Sequence, residues 1–105
     1  MKFGLEHTVI ELINAVFRKH EDVKSVKIYG SRAKGSYEKG SDIDLAYFSE
    51  KDITGKLLLE LDELPTPYFI DIANFNDIQN IELKEHIDRI GQVFFAKSEN
   101  ELKIE

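Results

Sequence analysis

Short segments rich in large apolar residues alternate along this chain with segments whose apolar residues recur at helical spacing. The short segments predict strands at residues 23–29, 42–48, 68–75 and 92–96. The helically spaced segments predict helices at residues 5–19, 51–64 and from Asn76 to Gly91. Because helices and strands alternate over connections of unequal length, we expect the α/β (α+β) class, with a small mixed β-sheet and helices packed mainly on one face.

The last helix and the last strand carry specific local signals. Asn76 and Gln79 have the spacing of a capping box, and Gly91 stands where such a helix would end. We expect four isoleucines on the inner face of this helix: Ile78, Ile81, Ile87 and Ile90. Phe94 and Phe95 are adjacent on the final strand, so one should enter the core and the other is a candidate interface residue.

Composition narrows the function classes. The chain has 105 residues with no low-complexity tract, so we expect one domain over residues 1–105, with a charged tail that frays from Lys97. The net charge of −6 disfavours direct nucleic-acid binding, because phosphate backbones bind basic surfaces. There is no cysteine, which excludes disulfides and thiolate metal sites. We see no signal peptide and no apolar run long enough for a bilayer, so we expect a cytoplasmic protein without membrane contact.

The stretch GSRAKGSYEKGSDIDL, residues 30–45, contains three glycines spaced five residues apart. It lacks the G-x-G-x-x-G of a dinucleotide fingerprint. Gly35 and Gly40 have the outer spacing of a Walker P-loop, but Ser41 stands where that loop requires lysine. The residues themselves therefore exclude both of these nucleotide motifs.

A different phosphate site fits the start of this stretch. Gly30 lies where a strand gives way to a short helical turn, and glycine lets a phosphate approach the backbone N–H groups closely. Ser31 adds a hydroxyl, and Arg32 and Lys34 add positive charge. The alternative is an ordinary strand-to-helix turn in which Ser31 caps the helix.

Two aspartates follow the loop. Asp42 and Asp44 are two residues apart on a predicted strand, so both carboxylates face one side while Ile43 and Leu45 face the core. Carboxylates that share a face repel each other unless a cation lies between them, and oxygen ligands at this spacing suit Mg²⁺. The alternative is an acidic edge that faces solvent.

A third carboxylate stands in the predicted strand YFIDIANF. Asp71 lies between Ile70 and Ile72, so it faces away from the core and would lie beside the first two aspartates on a neighbouring strand. A charge inside an apolar strand costs free energy unless something compensates it. From average composition, the pattern G-S-x10-D-x-D arises by chance in about one chain in a thousand of this length.

These residues support a family resemblance. GSRAKGSYEKGSDIDLAYF followed by FIDIANF resembles the nucleotidyltransferase superfamily that includes DNA polymerase beta, and LKEHIDRIGQVFF resembles the closing helix and strand of its minimal branch. The resemblance covers residues 8–96 and implies a palm-like fold. It implies that Gly30 and Ser31 hold the triphosphate of ATP, and that Arg32 and Ser41 belong to the nucleotide site.

The same resemblance implies the chemistry. Asp42 and Asp44 would bind two Mg²⁺ ions, and Asp71 would complete the metal site and help to deprotonate the acceptor hydroxyl. Many minimal nucleotidyltransferases are antitoxins encoded beside a helical HEPN toxin, and members of that branch transfer AMP from ATP to a tyrosine of the toxin. We therefore expect a Mg²⁺-dependent adenylyltransferase in a hetero-complex with such a toxin.

Two other functions remain open from the sequence. One is a nucleotidyltransferase for a small molecule, such as an aminoglycoside, that needs a partner subunit. The other is a non-catalytic antitoxin that neutralises its partner by binding alone, although a pure binder has no need of three converging carboxylates.

The remaining polar and aromatic candidates are scattered. His7, His20 and His86 show no ligand-like spacing, so we expect surface or packing roles for all three. Tyr37 lies in the glycine-rich loop, where it is either a plain exposed residue or a platform for a nucleotide base.

Overall fold

Four strands form a mixed sheet in the order β3-β2-β1-β4. The protein is represented by a computed structural model that describes residues 1–97. Its elements, in chain order, are α1 (His7–Lys19), β1 (Ser25–Tyr29), α2 (Gly30–Lys34), β2 (Ile43–Phe48), α3 (Thr54–Asp62), β3 (Ile70–Asn74), a 3₁₀ turn (Phe75–Asp77), α4 (Ile81–Ile90) and β4 (Gln92–Ala96).

The sheet contains both strand orientations. Strand β1 runs antiparallel to β2 and to β4, whereas β2 and β3 are parallel. A parallel pair needs a crossover connection, and α3 supplies it between β2 and β3. The predicted small mixed sheet is confirmed.

The main core lies between the sheet and helices α1 and α3. The inward residues of the two central strands, such as Ile28 and Leu45, are fully buried with Phe17 of α1 and Leu57 of α3. Full burial of each such side chain contributes about 1.5–3 kcal/mol to the hydrophobic driving force. The opposite face is covered in part by α4, whose Ile87 is buried against β1 and β2.

Helix α4 begins one turn later than the predicted capping box. Its N-cap is Asn80, whose side chain accepts a hydrogen bond from the Leu83 N–H at 3.1 Å. Asn76 instead lies in the 3₁₀ turn, where its own N–H donates to the Asn74 side chain at 3.0 Å. Because the helix starts after Asn80, Ile81 lies in its first turn and is 70% exposed, so the prediction that Ile81 faces inward was wrong.

Both adjacent phenylalanines of β4 are buried. Phe94 stacks on Phe3 and Phe95 packs on Phe17, with ring centroids 6.0 and 5.7 Å apart. The pairing of β4 with β1 shifts register between Val26 and Lys27, and a bulge of this kind lets two consecutive side chains turn to one face. The expected interface phenylalanine was therefore wrong.

The predicted fraying tail lies outside the described residues except for Lys97, whose amino group donates to the His20 carbonyl oxygen at 2.9 Å. Within residues 1–97, no helix has both the length and the apolar character that crossing a membrane requires.

Candidate active site

A row of three polar side chains crosses the face of the sheet opposite the main core. Asp44 on β2 is in register with Tyr29 on β1 and with Asp71 on β3. Residues directly opposite each other on paired strands share a face, so the two carboxylates point the same way. Asp42 stands two residues before Asp44, just outside β2, and its charge acts on Asp44. The register thus places Asp44 and Asp71 on one side of the sheet, and the shared side of Asp42 stays a prediction.

Burial and neighbouring charge both disfavour the ionised form of Asp44. Burial, followed by the charges of Asp71 and Asp42, raises the pKa of Asp44 above its ordinary value, and a positive charge on a protonated His86 acts in the opposite direction. Burial and the charges of Asp44 and Asp71 raise the pKa of Tyr29 to about 12. Within residues 1–97, none of the three aspartates forms a salt bridge. Among the described residues, no ion pair therefore offsets the negative charge at this end of the sheet.

The donor chemistry of the row fits a divalent cation. Carboxylate oxygens are the ligands that Mg²⁺ prefers, and a cation would offset both the burial and the repulsion that raise the pKa of Asp44. In the part of the chain that the structure describes, no three His, Asp or Glu side chains converge closely enough to hold a metal ion. The assignment of Asp42, Asp44 and Asp71 as metal ligands therefore stays a prediction.

The pKa of Asp44 predicts how stability depends on pH. Because that pKa is raised in the folded protein, protonation of Asp44 stabilises the fold. This stabilisation is fully present below the ordinary pKa of aspartate and is lost as the pH rises through the pKa in the folded state. Asparagine is neutral at every pH. We expect Asp44→Asn to raise the melting temperature by about 2–5 °C at neutral pH, and the gain to vanish below about pH 4.

Thermal melts of the parent and the variant across this pH range check the prediction. Asp62→Asn is the matched control, because Asp62 is exposed at the end of α3 and its change should move the melting temperature by about 1 °C or less. An Asp44→Asn variant that melts below the parent at neutral pH would contradict the proposed repulsion.

The backbone conformation at Gly30 and the nearby side chain of Asp44 both require glycine at this position. Its φ is +73°, in the region that side-chain-bearing residues rarely adopt, and a Cβ built there would lie 2.5 Å from Oδ2 of Asp44. The strand end, the glycine and the aspartate are thus packed directly together. Ser31 follows in the first turn of α2 and is partly exposed beside this point.

Arg32 is committed to the loop that joins α2 to β2. Its side chain is 2% exposed, although it carries a full positive charge. Its guanidinium donates to the carbonyl oxygens of Phe3 at 2.9 Å, of Ser41 at 3.0 and 2.8 Å, and of Lys39 at 3.4 Å. These bonds join the N-terminal turn to both ends of the glycine-rich loop.

Two aromatic rings complete the surroundings of this arginine. The guanidinium carbon lies 5.3 Å from the ring centroid of Tyr37 and 5.0 Å from that of Tyr68. Attraction between a desolvated cation and aromatic rings helps to compensate the burial of the charge. The Tyr37 ring therefore packs on one side of the Arg32 guanidinium, while 38% of the surface of Tyr37 is exposed.

Ser41 also has contacts within the loop. Besides its carbonyl bonds to Arg32, its hydroxyl accepts a hydrogen bond from the Glu38 N–H at 2.8 Å. The contacts of Arg32 and Ser41 hold the loop in shape immediately before Asp42. Their assignment to the nucleotide site stays a prediction, and the structure adds a loop-positioning role for both.

Replacing Arg32 with lysine should show how much the loop depends on its hydrogen bonds. Lysine keeps the charge but cannot reproduce the planar fork that reaches three carbonyl oxygens. We expect the free energy of unfolding to fall by about 2–3 kcal/mol, as measured by urea denaturation. Lys34→Arg, at an exposed position on the same helix, is the reverse exchange and should change it by less than about 0.5 kcal/mol. Equal effects of the two exchanges would contradict this role.

His86 is the site residue that the sequence did not reveal. Its Nε2 accepts a hydrogen bond from the Gly30 N–H at 3.3 Å, and its ring lies edge-on to Tyr29 with centroids 6.1 Å apart. The only local signal is its position three residues after Leu83 and next to the buried Ile87, at the border of the inner face of α4. Nothing in the sequence indicates that it meets Gly30.

The other two histidines lie away from the aspartates. His7 is exposed and stands 4.0 Å from Glu11 in the same helix. His20 pairs with Glu60 of α3 at 2.8 Å, in a contact that joins α1 to α3. Surface and packing roles therefore suit these two, and His86 also packs, against Tyr29, but it adds an unexpected hydrogen bond with Gly30.

Two solved structures share this architecture. A crystal structure of a toxin-antitoxin with AMP-PNP has a TM-score of 0.69 and 16% sequence identity, over 89% of this chain and 77% of that chain. A crystal structure of the toxin-antitoxin MntA-HepT has a TM-score of 0.58 and 15% identity, over 92% of this chain and 78% of that one. At these identities the likeness shows a common fold.

The family follows from the sequence. No curated protein matches the sequence. Residues 11–100 match the family described as polymerase beta, nucleotidyltransferase, and this span includes the Gly-Ser turn and all three aspartates. The match covers most of the 105 residues. The chain belongs to the polymerase beta nucleotidyltransferase family.

Proposed function

We propose that this protein is a single-domain, Mg²⁺-dependent adenylyltransferase that transfers AMP from ATP to a tyrosine hydroxyl of a helical HEPN-type toxin, and so acts as a cytoplasmic antitoxin. The observation that carries the proposal is the register of Asp44 with Asp71, with Gly30 packed against Asp44 and Asp42 two residues before it. Family membership supports nucleotidyl transfer. The toxin-antitoxin structures that share the fold support the kind of partner.

Each residue has a definite task in this proposal. Gly30 leaves room for the triphosphate to approach the backbone at the end of β1, Ser31 binds it, and Asp42, Asp44 and Asp71 would hold the metal. Bound Mg²⁺ would supply neutralisation of the phosphate charge and acidification of the acceptor hydroxyl. Arg32 and Ser41 keep the loop before Asp42 in the shape that the site requires.

The reaction is an in-line displacement at the α-phosphorus of ATP. The acceptor oxygen forms a bond to the α-phosphorus as the bond between that phosphorus and the oxygen bridging to the β-phosphorus breaks. Pyrophosphate leaves with the bonding electrons, and the carboxylate of Asp71 takes the hydroxyl proton. Asp71 suits this task because it is exposed on the edge strand β3, where an acceptor from outside can reach it.

An exposed aromatic residue lies beside that position. Phe69 is 62% exposed and stands two residues before Asp71, immediately before β3, where its carbonyl oxygen accepts a hydrogen bond from the Ile43 N–H at 3.0 Å. A large exposed hydrophobic side chain next to a catalytic carboxylate suits contact with a protein partner. The net charge of −6 makes an unaided grip on nucleic acid unfavourable, which also favours a protein acceptor.

Co-expression with the product of the neighbouring reading frame tests the acceptor. A short helical protein with an R-x4-6-H-x-Y motif is the expected partner, and its intact mass should increase by one or more AMP groups. The Asp42→Asn, Asp44→Asn double variant should leave the partner unmodified, whereas Asp62→Asn should modify it normally. A partner that stays unmodified but loses its toxicity beside the double variant would instead indicate neutralisation by binding alone.

A further inference from the structure

The hydrogen bond between Gly30 and His86 joins segments that are 56 residues apart in the chain. It connects the peptide at the end of β1 to helix α4, which covers part of the aspartate face. Since an amide N–H donates to Nε2, that nitrogen carries a lone pair, and the proton of the neutral ring lies on Nδ1.

This hydrogen bond matters because Gly30 has no side chain that could restrain its backbone. Glycine populates positive and negative φ about equally, so the local chain does little to hold the observed φ of +73°. A hydrogen bond from a separate helix fixes the plane of the peptide between Tyr29 and Gly30. The orientation of that plane in turn sets where Ser31 is presented.

The imidazole is itself held in place. Its ring lies against Tyr29 at an interplanar angle of 80°, in the edge-to-face arrangement that aromatic rings favour. Tyr29 is 8% exposed and in register with Asp44. The ring therefore has a buried platform on one side and the Gly30 amide on another.

We propose that His86 is a positioning residue for the triphosphate: through Nε2 it holds the Tyr29–Gly30 peptide in the orientation that presents Ser31 to ATP. The inference rests on the proposed function, because it assigns His86 a role at the same nucleotide site. The bond between His86 and Gly30 stays in place when the nucleotide binds, and the phosphates take their contacts from Ser31 onwards.

Two substitutions separate the hydrogen bond from the packing. His86→Phe keeps a ring against Tyr29 but removes the acceptor, whereas His86→Gln offers an amide oxygen as a replacement acceptor. We expect His86→Phe to raise both the Kd and the KM for Mg²⁺–ATP about five- to tenfold, with kcat changed by less than about twofold. His86→Gln should recover most of the lost affinity. Thermal melts identify any variant that fails to fold.

Nuclear magnetic resonance tests the bond directly in the folded parent protein. In isotope-labelled protein, a scalar coupling across the hydrogen bond should link the amide nitrogen of Gly30 to Nε2 of His86. We expect this coupling in the free protein and also after Mg²⁺ and a non-hydrolysable ATP analogue are added. The measurement uses the parent protein, so it does not depend on whether the variants fold. Loss of the coupling on addition of the nucleotide would show that His86 competes with the phosphates and would overturn the inference.

The outcomes distinguish this inference from the proposed function. If the parent binds Mg²⁺–ATP and a folded His86→Phe variant binds it equally or more tightly, only the role of His86 is overturned. A His86→Gln variant that binds as weakly as His86→Phe would do the same. A parent protein that does not bind Mg²⁺–ATP would overturn both the role of His86 and the proposed function.

Discussion

An Asp44→Asn variant is expected to lose nucleotidyl transfer by a factor of about a hundred to a thousand or more. Asparagine keeps the shape of the side chain but has one oxygen and no negative charge, so it cannot serve as a hard anionic ligand. Asp44 is the central member of the row, in register with Tyr29 and Asp71. The same substitution in Asp42 is expected to cost a similar factor.

The loss of activity should accompany a gain in stability. Burial, followed by repulsion from Asp71 and Asp42, raises the pKa of Asp44 and so disfavours its charge; the substitution removes that charge, so the variant should melt at a higher temperature than the parent at neutral pH. A variant that lost activity because it misfolds would instead melt at a lower temperature than the parent. Steady-state transfer assays and melts on the same preparation check both expectations, with Asp62→Asn as the matched control. Near-parental turnover by Asp44→Asn would contradict the role of this carboxylate.

Replacing Gly30 is expected to damage both folding and nucleotide binding. A side chain at φ +73° is strained, and its Cβ would lie 2.5 Å from Oδ2 of Asp44. For Gly30→Ala we expect the free energy of unfolding to fall by about 2–4 kcal/mol, and for Gly30→Val by more, because a branched side chain is worse tolerated at positive φ. Gly30→Val should also weaken nucleotide binding, because its side chain blocks the approach of the phosphates. Urea denaturation measures the first effect, and titration with Mg²⁺–ATP measures the second.

Gly35 supplies a matched control for the backbone strain. Its φ is +85°, but a Cβ built there would meet no atom within 4 Å. Gly35→Ala should therefore cost only the strain, about 1–2 kcal/mol, and the difference between the two variants isolates the contact with Asp44. Equal costs at the two glycines, with Mg²⁺–ATP bound as in the parent, would contradict the packing of Gly30 on Asp44.

Ser31→Ala should weaken nucleotide use without abolishing it, because the backbone N–H groups remain.

Alternation along the strands allowed the shared face to be predicted from sequence alone. Side chains two residues apart on a strand face the same side, so Asp42 and Asp44 were expected together, and the flanking isoleucines placed Asp71 opposite the core. The structure adds the parallel register that sets Asp44 beside Asp71. That register depends on how β2 and β3 pair, which the spacing within each strand does not specify.

Contacts between distant segments were beyond the reach of sequence patterns. Arg32 follows the Gly-Ser turn and so was expected to face phosphate, but the loop carbonyl oxygens need donors and the guanidinium supplies them. His86 meets Gly30 only because α4 packs on β1 and β2. The burial of both Phe94 and Phe95 depends on a shift in strand pairing, which leaves no signature in either strand alone.

The most direct test of the central claim follows the two ends of ATP in one reaction. Purified protein, its partner and Mg²⁺ are incubated with ATP labelled on either the α- or the γ-phosphate. Nucleotidyl transfer predicts that the α-label becomes attached to the partner while the γ-label appears in free pyrophosphate, and that both signals are lost in the Asp42→Asn, Asp44→Asn variant. Attachment of the γ-label to the partner, or of no label to it, would contradict the account.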